Sequence, residues 1–325
     1  MKYLNELNIL ITGAGGPAAV CTYKSLSKKI NNIHMADMDG LSAGLYLVSP
    51  GNRHVIPAAK DPDFLNQLLQ ICIDQKINVL IPTVDFELLQ LAEAKEEFLS
   101  HGVKILVTAP EVLHNIMNKH NLLSLVDEIV EVGQHGMLAS QNLENWKDKK
   151  VVIKPISGSG SRGVDIYESV KDIPTKKLSD PTLLIQEFAE GPEYSVDVMV
   201  AEDGDIKAAV PRLRMRTDSG VSVTGKVVLN QEVINYVIKV LETVGLTYMA
   251  NVQVITTSSG PRLIEINPRC SGGLSLVIAA GADTPLMAIK TLMGEQVEVV
   301  QDIKEIAMVR MYSETFMPAQ DLAVA

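Results

Sequence analysis

Cysteine, aromatic residues and long apolar runs are all scarce in this chain of 325 residues. The three cysteines, Cys21, Cys72 and Cys270, are odd in number and widely spaced, which argues against a disulfide framework or a cysteine-rich metal site. Aromatic residues make up only 4% of the sequence, so a stacking surface for single-stranded nucleic acid is not expected. No apolar run reaches the ~18 residues that a transmembrane helix needs.

Basic residues are outnumbered by acidic ones, giving a formal net charge of -10 and a pI of about 5.2. Without a strongly basic stretch, nucleic acid is not the expected partner. Residues 1–8 are charged and run directly into a strand pattern, which is not typical of a signal peptide. The histidines lack H-E-x-x-H spacing, which disfavours zinc. We therefore expect a cytoplasmic protein that acts on small molecules, with no membrane and no nucleic acid partner.

Strand and helix patterns alternate over the first 110 residues. This alternation predicts an open, mostly parallel sheet with helices on its faces. The predicted strands are residues 8–12, 33–37, 79–82 and 104–107, and the predicted helices are residues 18–27, 63–75 and 86–99.

A different pattern begins at Pro110, where two short helices are followed by strands in hairpin arrangements. Asp203-Gly204 and Ser258-Ser259-Gly260 are the turn sequences of two predicted antiparallel hairpins. The predicted helices are residues 111–120, 122–130, 231–244 and 284–293, and the predicted strands are residues 151–154, 183–188, 194–200, 206–213, 250–256 and 262–267. The fold class is therefore α/β followed by α+β.

A glycine-rich turn, Gly13-Ala14-Gly15-Gly16-Pro17-Ala18, follows the first predicted strand. The G-x-G-x-x-A spacing matches part of a dinucleotide fingerprint, and Asp37 at the end of the second strand would then contact the ribose. The same residues also suit a tight turn that lets helix and sheet pack closely. A nicotinamide-dependent oxidoreductase and a purely structural turn both remain open at this stage.

A lysine and a flexible loop follow the buried strand at residues 151–154. Lys154 precedes Ser157-Gly158-Ser159-Gly160-Ser161-Arg162-Gly163, whose glycines allow the backbone to approach a ligand closely. Successive N–H groups and hydroxyls in such a loop can surround phosphate oxygens. An exposed flexible hairpin is the alternative interpretation.

Three polar residues occur where two apolar strands are predicted to pair. Glu265 and Asn267 are two apart, so they lie on one face of the strand, and Gln253 on the preceding strand can share that face. Their oxygen atoms suit Mg²⁺, which takes few protein ligands and leaves positions for phosphates and water. Arg269 follows directly and can neutralise a phosphoryl group or an acyl phosphate. A solvent-facing polar stripe on an edge strand is the alternative.

Two further segments carry candidate binding residues. The strand end Gln186-Glu187-Phe188-Ala189 offers groups that can contact an adenine edge, and Glu193 can accept from ribose hydroxyls. Arginines alternate in the segment Arg212-Leu213-Arg214-Met215-Arg216, which puts all three on one face of an extended strand. Such a row suits phosphates or a carboxylate substrate. Solvated acids and a charged edge strand explain the same patterns equally well.

Together these segments resemble the ATP-grasp superfamily, and within it the branch similar to the large subunit of carbamoyl-phosphate synthase. The resemblance rests on Val151-Val152-Ile153-Lys154-Pro155, on the loop at residues 158–163, on Gly191-Pro192-Glu193, and most specifically on Asn251-Val252-Gln253 followed by Glu265-Ile266-Asn267-Pro268-Arg269. It implies a Rossmann-like pre-ATP-grasp domain at residues 1–110, a small lid subdomain at residues 111–182, and a large subdomain at residues 183–325.

The resemblance also implies a role for each candidate residue. Lys119, Lys154 and the loop residues Ser157, Gly158, Ser159, Gly160 and Ser161 would contact ATP phosphates. Gln186, Glu187 and Phe188 would hold adenine, and Glu193 the ribose. Gln253, Glu265 and Asn267 would bind Mg²⁺, or Mn²⁺ in its place, and Arg269 with Lys154 would act in catalysis.

Departures from the family pattern narrow the expected reaction. Asn118-Lys119 stands where the family often has Asp-Lys, and Gly272 stands where carbamoyl-phosphate synthases have a further arginine. The chain also has a single grasp unit. The expected function is a stand-alone ligase that joins a carboxylate to an amine through an acyl phosphate. Carboxyphosphate chemistry and a non-catalytic ATP-binding module are the alternatives.

We assign substrate selection to two groups of residues. The first group, Thr83, Asp85 and Glu87, lies at a predicted βα junction of the first domain. The second is the arginine row at Arg212, Arg214 and Arg216. A homodimer is consistent with the family resemblance.

Overall fold

Three β-sheets follow one another along the chain in the computed structural model, which describes residues 2–158, 160 and 162–322. The first sheet has five strands, the second four and the third six. This mixed α/β and α+β architecture confirms the fold class predicted from the sequence.

The first sheet is entirely parallel, with strand order β3-β2-β1-β4-β5. Its strands are β1 Asn8–Thr12, β2 Asn32–Asp37, β3 Arg53–Val55, β4 Val79–Ile81 and β5 Lys104–Ile105. Its helices are α1 Pro17–Leu26, α2 Phe64–Asp74, α3 Asp85–Glu93 and α4 Lys95–Ser100. The prediction of one helix over residues 86–99 was wrong, because the backbone at Ala94 leaves helical geometry with φ -85° and ψ 4°.

Alternate residues of the first sheet are buried on opposite faces, as the strand period of two requires. Leu10 and Leu80 pack with residues of α2 and α3, such as Leu68 and Leu88. Ile9, Ile11 and Val79 pack in a separate cluster that also contains α1. Both faces are therefore covered, which explains the near-continuous apolar sequences of these strands.

The second sheet is antiparallel, with strand order β6-β9-β7-β8. The elements are helices α5 Pro110–Ile116, α6 Lys119–Val126 and α7 Thr175–Leu178, and strands β6 His135–Met137, β7 Val151–Pro155, β8 Asp165–Tyr167 and β9 Leu183–Glu187. A small core around the fully buried Trp146 supports it. The side chain of Asn118 accepts hydrogen bonds from the N–H groups of His120 and Asn121, so it caps α6 and sets Lys119 at the first turn.

The boundary between the second and third parts needs one adjustment. Strand β9 pairs with β6 and β7 inside the second sheet. A boundary at residue 182, as expected from the sequence, would separate these hydrogen-bonded strands. We propose that the small subdomain extends to Glu187.

The third sheet is also antiparallel, with strand order β14-β13-β10-β11-β12-β15. Its strands are β10 Glu193–Val200, β11 Ile206–Asp218, β12 Val221–Val227, β13 Tyr248–Thr257, β14 Gly260–Asn267 and β15 Ala307–Val309. Its helices are α8 Gln231–Val244, α9 Leu274–Ala280 and α10 Thr284–Leu292. Both hairpins predicted from turn sequences are present, as is the helix at residues 231–244.

Alternation along β10 separates a fully apolar face from a mixed face. Val196 and Val198 pack in the same cluster as Val233 and Val237 of α8. Ser195 and Asp197 face the other way, and there the sheet carries polar side chains. This polar face is where the candidate site forms.

Helices α9 and α10 connect the third sheet to the first. Their residues share a buried cluster with α1, and the ammonium of Lys104 donates to the carbonyl of Leu292 at 2.9 Å. Among the described residues no single helix has the length and apolar character of a membrane span, although the bent pair Leu274–Ala280 and Thr284–Leu292 meets those criteria jointly at an angle of 88°.

The substitution Gly44→Ala is expected to lower the free energy of unfolding by about 1–3 kcal/mol. A β-carbon at Gly44 would lie 2.1 Å from the carbonyl oxygen of Ala14, a backbone atom of the glycine-rich turn that cannot move freely. Urea unfolding measures the difference. Gly51→Ala is the matched control, since nothing lies within 4 Å of its added carbon. Equal stability of the two variants would contradict this packing.

Candidate functional site

A cavity of about 270 Å³ lies between the second and third sheets, and we call it the inter-sheet cavity. Lys154 and residues 186–189 line it from the second sheet and the segment after it, and Glu193, Gln253 and Glu265 line it from the third. Lys119 also reaches it from α6. The structure therefore brings together residues that lie up to 146 positions apart in the sequence, from 119 to 265.

Apolar side chains form two sides of the inter-sheet cavity. Val152 and Ile166 come from the second sheet, and Ile255 and Ile264 from the third. A flat aromatic ligand placed between such walls would lose its contact with water at low cost. None of the four was predicted as a site residue, because isolated aliphatic residues in strands look like ordinary core.

The predicted adenine-binding residues lie at one end of this cavity, but several of their polar groups already form hydrogen bonds within the protein. Gln186 donates its side-chain amide to the carbonyl of Val132 at 3.2 Å. The N–H groups of Glu187 and Phe188 donate to the carbonyls of Gln134 and Lys150. A ligand here would therefore meet side chains and the following residue, Ala189, which also lines the cavity.

Glu187 is held by two cations. Lys149 lies 2.8 Å from its carboxylate and Arg262 lies 3.7 Å away. The hydrogen bond from Lys149 is the main reason that the pKa of Glu187 lies below its ordinary value. This carboxylate stays ionised, so it can accept hydrogen bonds from a ligand.

Two buried lysines meet Glu265 at the other end of the cavity. The Lys119 ammonium lies 3.3 Å from the Glu265 carboxylate and donates to the carbonyl of Gly158 at 2.8 Å. The Lys154 ammonium donates to the carbonyl of Ile264, next to Glu265, at 3.3 Å. Both predicted phosphate-binding lysines therefore lie beside the predicted metal-binding strand.

Lys154 has little access to water, with only 4% of its surface exposed. Its pKa is lowered to about 8, mainly by burial and also by repulsion from Lys119, while Glu265 opposes the shift. Two adjacent cations with one carboxylate between them leave a surplus of positive charge. An anionic ligand would relieve this repulsion.

The three predicted metal ligands converge on one face of the third sheet. Gln253 on β13 pairs in register with Glu265 on β14, and the amide of Asn267 donates to the Glu265 carboxylate at 3.1 Å. Gln253 and Glu265 border both the inter-sheet cavity and a second cavity, described next. These three side chains offer the oxygen atoms that a divalent cation requires.

The second cavity, of about 230 Å³, carries three arginines, and we call it the arginine cavity. Arg212, Arg214 and Arg269 all line it. Arg212 pairs with the buried Asp197 at 2.5 Å, and Arg214 pairs with Glu193 at 2.9 Å. Burial raises the pKa of Glu193, and Arg214 opposes that shift.

Arg216 does not join the other two arginines of its strand. The register of β11 against β12 shifts between Arg214 and Arg216, so the expected alternation stops there. Arg216 is exposed, and it is not among the residues that line the arginine cavity. The prediction that all three arginines share one face was therefore wrong.

Arg269 is fixed by an ion pair with the first sheet's helix α3. Its guanidinium donates two hydrogen bonds to Asp85, from Nε and Nη2, both at 2.8 Å. The two parallel bonds set the orientation of the planar group as well as its position. Asp85, predicted as a substrate contact, pairs with the predicted catalytic arginine in this structure.

Two side chains of the arginine cavity carry an unpaired donor among the described residues, and one of them, Asn251, was missed by sequence analysis. Asn251 is 4% exposed, and its side-chain Nδ2 has no hydrogen-bond partner among the described residues. The same is true of Nε of Arg214. A buried donor without a partner is costly, so both atoms favour a ligand with acceptor oxygens. The spacing of Asn251 two residues before Gln253 was the signal that could have identified it.

Two N–H groups of the glycine-rich turn already donate hydrogen bonds within the protein. The N–H of Gly15 donates to the Asp37 carboxylate at 2.7 Å, and the N–H of Gly16 donates to the carbonyl of Gly13. Asp37 and the turn therefore bind each other, which leaves these N–H groups unavailable to a pyrophosphate. The structural interpretation of this motif fits better than the dinucleotide fingerprint.

Described residues of the loop at residues 157–163 line both cavities. Ser157 and Gly158 line the inter-sheet cavity, and Gly160 lines the arginine cavity. Ser159 and Ser161, predicted to contact phosphates, lie outside the described residues. Gly158, Gly160 and Gly163 all have positive φ, which supports the prediction that glycine is needed there.

The remaining predicted substrate residues lie at the carboxyl end of β4. Thr83 is buried and donates its hydroxyl to the carbonyl of Thr12 at 2.8 Å. Glu87 accepts a short hydrogen bond from the Thr12 hydroxyl. Burial raises the pKa of Glu87 to about 7, with Asp37 and Asp85 adding to the effect.

Two protein families match this chain. Residues 179–315 match the family described as ATP-grasp in the biosynthetic pathway with Ter operon. Residues 9–106 match the family described as PylC-like, N-terminal domain. The two matches cover the first sheet and the third sheet with its polar face.

Individual relatives agree with these families. A D-alanine–D-alanine ligase from Corynebacterium urealyticum is 30% identical over 140 residues, covering 36% of this chain and 39% of that protein. An uncharacterized protein from Sinorhizobium fredii is 29% identical over 167 residues, covering 45% of this chain and 34% of that protein. This chain thus matches well under half the length of each of these curated relatives.

Solved structures share the fold over nearly the whole chain. An N5-carboxyaminoimidazole synthetase from Staphylococcus aureus, complexed with ADP, has a TM-score of 0.74 at 14% identity, covering 94% of this chain and 82% of that one. These features define a parallel α/β sheet joined to two antiparallel sheets with a basic cleft between them. By these matches, residues 179–315 carry ATP-grasp domain sequence and residues 9–106 the sequence of a PylC-like N-terminal domain.

The substitution Lys154→Met should make the ligand-free protein more stable at about pH 7, and the gain should shrink as the pH rises from about 8 to 10.5. The folded pKa lies below the ordinary value, so the unfolded chain binds more protons in that window and wild-type stability rises there. Urea unfolding in metal-free buffer across this range measures the effect. Lys239→Met, at an exposed lysine, is the control. A constant difference between variant and wild type would contradict the shifted pKa.

Proposed function

We propose that this protein is an ATP-dependent carboxylate–amine ligase, which forms an amide bond through an acyl phosphate and releases ADP and phosphate. One observation carries the proposal: Lys119 and Lys154 both reach the strand of Glu265, and Glu265 lines both the inter-sheet cavity and the arginine cavity. The surplus positive charge of the two lysines would attract a triphosphate. In the arginine cavity, donors that have no partner among the described residues would bind the oxygens of a carboxylate.

The nucleotide would bind in the inter-sheet cavity in only one orientation. Its base would lie between the aliphatic walls near Phe188 and Ala189, with Glu193 beside the ribose. The phosphates would then extend toward Lys119 and Lys154. The opposite orientation would put the phosphates beside the ionised Glu187, where like charges repel.

Gln253, Glu265 and Asn267 fit a divalent cation. Their donor atoms are carboxylate and amide oxygens, and Glu265 already pairs with a cationic group, Lys119, at 3.3 Å. We propose Mg²⁺ as the ion, with Mn²⁺ able to replace it. When bound, such an ion offsets charge between the phosphates and the attacking carboxylate.

The carboxylate substrate would bind in the arginine cavity. Asn251 and Arg214 have donors free for its oxygens, and Arg269 is held in place by Asp85. A carboxylate oxygen attacks the γ-phosphorus of ATP, the bond to the ADP oxygen breaks, and an acyl phosphate forms. An amine then attacks the acyl carbon, and phosphate leaves with the electron pair of the broken C–O bond. Arg269 stabilises the oxyanion that forms in this second step.

Carboxyphosphate chemistry is the second candidate. The overall fold is similar to that of enzymes named for carboxylation reactions, including the synthetase compared above, which favours bicarbonate as the first acceptor of phosphate. Bicarbonate-dependent ADP release without any other carboxylate would establish this alternative. If neither class of carboxylate causes ADP release, the protein would be a nucleotide-binding module without ligase activity.

Screening identifies the substrates under this proposal. Pairs of amino acids and small amines are tested for ATP-dependent phosphate release, and products are identified by mass. A cytoplasmic location and a homodimeric assembly remain part of the proposal. Size-exclusion chromatography with light scattering tests the second of these.

Glu265→Ala is expected to lower carboxylate-dependent ADP release by at least about 100-fold, since even outer partners of metal ligands account for about 10–100-fold. The substitution removes the carboxylate that would bind the cation and that pairs with Lys119. A coupled assay for ADP, run at several Mg²⁺ concentrations, measures the loss.

The matched control for this experiment is Glu298→Ala, at an exposed glutamate. Its ADP release should equal that of the wild type. Full activity of the Glu265→Ala variant would refute the proposed metal site.

A further inference from the structure

A third cavity, of about 530 Å³, opens beside the glycine-rich turn at the carboxyl edge of the first sheet. We call it the acidic cavity, because Asp37, Asp39 and Glu87 line it and Lys60 is the only basic residue among those that do. Neither the nucleotide nor the carboxylate substrate of the proposed reaction needs this space. Its charge also has the same sign as theirs, so it would repel both.

The carboxylates of the acidic cavity are fixed by the backbone. Asp37 accepts from the N–H groups of Gly15 and Asp39 at 2.7 and 3.0 Å, and Asp39 accepts from the N–H of Leu41 at 2.9 Å. Glu87 is only 5% exposed and is bonded by one oxygen to the Thr12 hydroxyl. Burial raises the pKa of Glu87 to about 7, and a cation beside this buried carboxylate would stabilise its ionised form.

Two large apolar side chains line the same cavity without being buried. Met38 is 67% exposed and Phe86 is 56% exposed. Ile56 and Val84 continue this apolar lining. Exposed apolar surface at the mouth of a cavity is typical of a binding site for a ligand with an apolar part.

The acidic cavity adjoins the arginine cavity. Gly16 and Thr83 line both, so the two cavities meet at these residues. On α3, Asp85 contacts Arg269 of the arginine cavity, and Glu87, two residues further, lines the acidic cavity. A molecule in one cavity therefore lies beside a molecule in the other.

We propose that the acidic cavity binds the amine substrate, a primary amine with an apolar group, in its ammonium form. This inference rests on the proposed ligase function and assigns one of its two substrates. Asp37, Asp39 and Glu87 attract the ammonium, while Met38 and Phe86 contact the apolar part. The same carboxylates repel anions, which separates the amine from the carboxylate substrate before reaction.

Calorimetric titration without ATP tests binding directly, with n-hexylamine and phenethylamine as probes and hexanoate as the anionic counterpart. The amines should bind the wild type and hexanoate should not. Met38→Ala and Glu87→Gln should each weaken amine binding about tenfold, the effect of roughly one lost favourable contact. Met38 is exposed, so its variant remains informative if Glu87→Gln fails to fold.

Met311→Ala is the matched control, because Met311 is 86% exposed and does not line the cavity. It should bind the amines as the wild type does. Failure of both amines to bind the wild type, or equal binding by wild type, Met38→Ala and Glu87→Gln, would overturn the proposal.

A second experiment separates this inference from the proposed ligase function. Hydroxylamine is small enough to trap an acyl phosphate as a hydroxamate without filling the acidic cavity. In the Met38→Ala variant, the ratio of amide formed with hexylamine to hydroxamate formed with hydroxylamine should fall about tenfold. An unchanged ratio would refute the amine site. Absence of hydroxamate from the wild type with every carboxylate tested would refute the ligase function instead, and calorimetry would still decide the amine site.

Discussion

The pairing of β13 with β14 is the constraint on which the site depends. It sets Gln253 opposite Glu265 and Asn251 opposite Asn267, on the face of the sheet turned away from α8. Polar side chains in partly buried strands are costly unless they find partners. Here the partners are only partly supplied from within the chain, by Lys119 and by the contact between Asn267 and Glu265. Among the described residues the Nδ2 of Asn251 has no partner, which favours a ligand with an acceptor oxygen there.

A second constraint is the repulsion between Lys119 and Lys154. The two ammonium groups reach the cavity from α6 and β7, while Glu265 comes from the third sheet. Burying them together lowers the pKa of Lys154 and costs stability in the free protein. A polyanion between the sheets would relieve that cost. The same contacts would then draw the second sheet toward the third, so that ligand binding and closure of the cleft favour each other.

Strong local patterns made most of the fold predictable, and tertiary contacts explain the rest. Helix α8 and the strands around the proposed metal-binding residues carry clear periodicity and turn residues, so their positions were predicted closely. Short strands such as β3 and β8 have only three residues each, too few for any periodicity. The shifted register after Arg214 and the pairing of Arg269 with Asp85 depend on segments far apart in sequence. Local sequence patterns do not predict such contacts. The aliphatic residues that line the inter-sheet cavity have no polar group that would mark them as site residues.

The charges of the two cavities beside Thr83 explain why the first sheet accompanies the grasp unit. A ligase must bring a carboxylate and an ammonium together without letting them form an unreactive ion pair. Arginines attract the first on one side of Gly16 and Thr83, and acids attract the second on the other. The ion pair between Arg269 and Asp85 joins the two sides and fixes their spacing, because both of its hydrogen bonds are short and parallel. Under the proposed reaction the first sheet would be part of the catalytic architecture, since it would carry one substrate and orient the arginine that acts on the other.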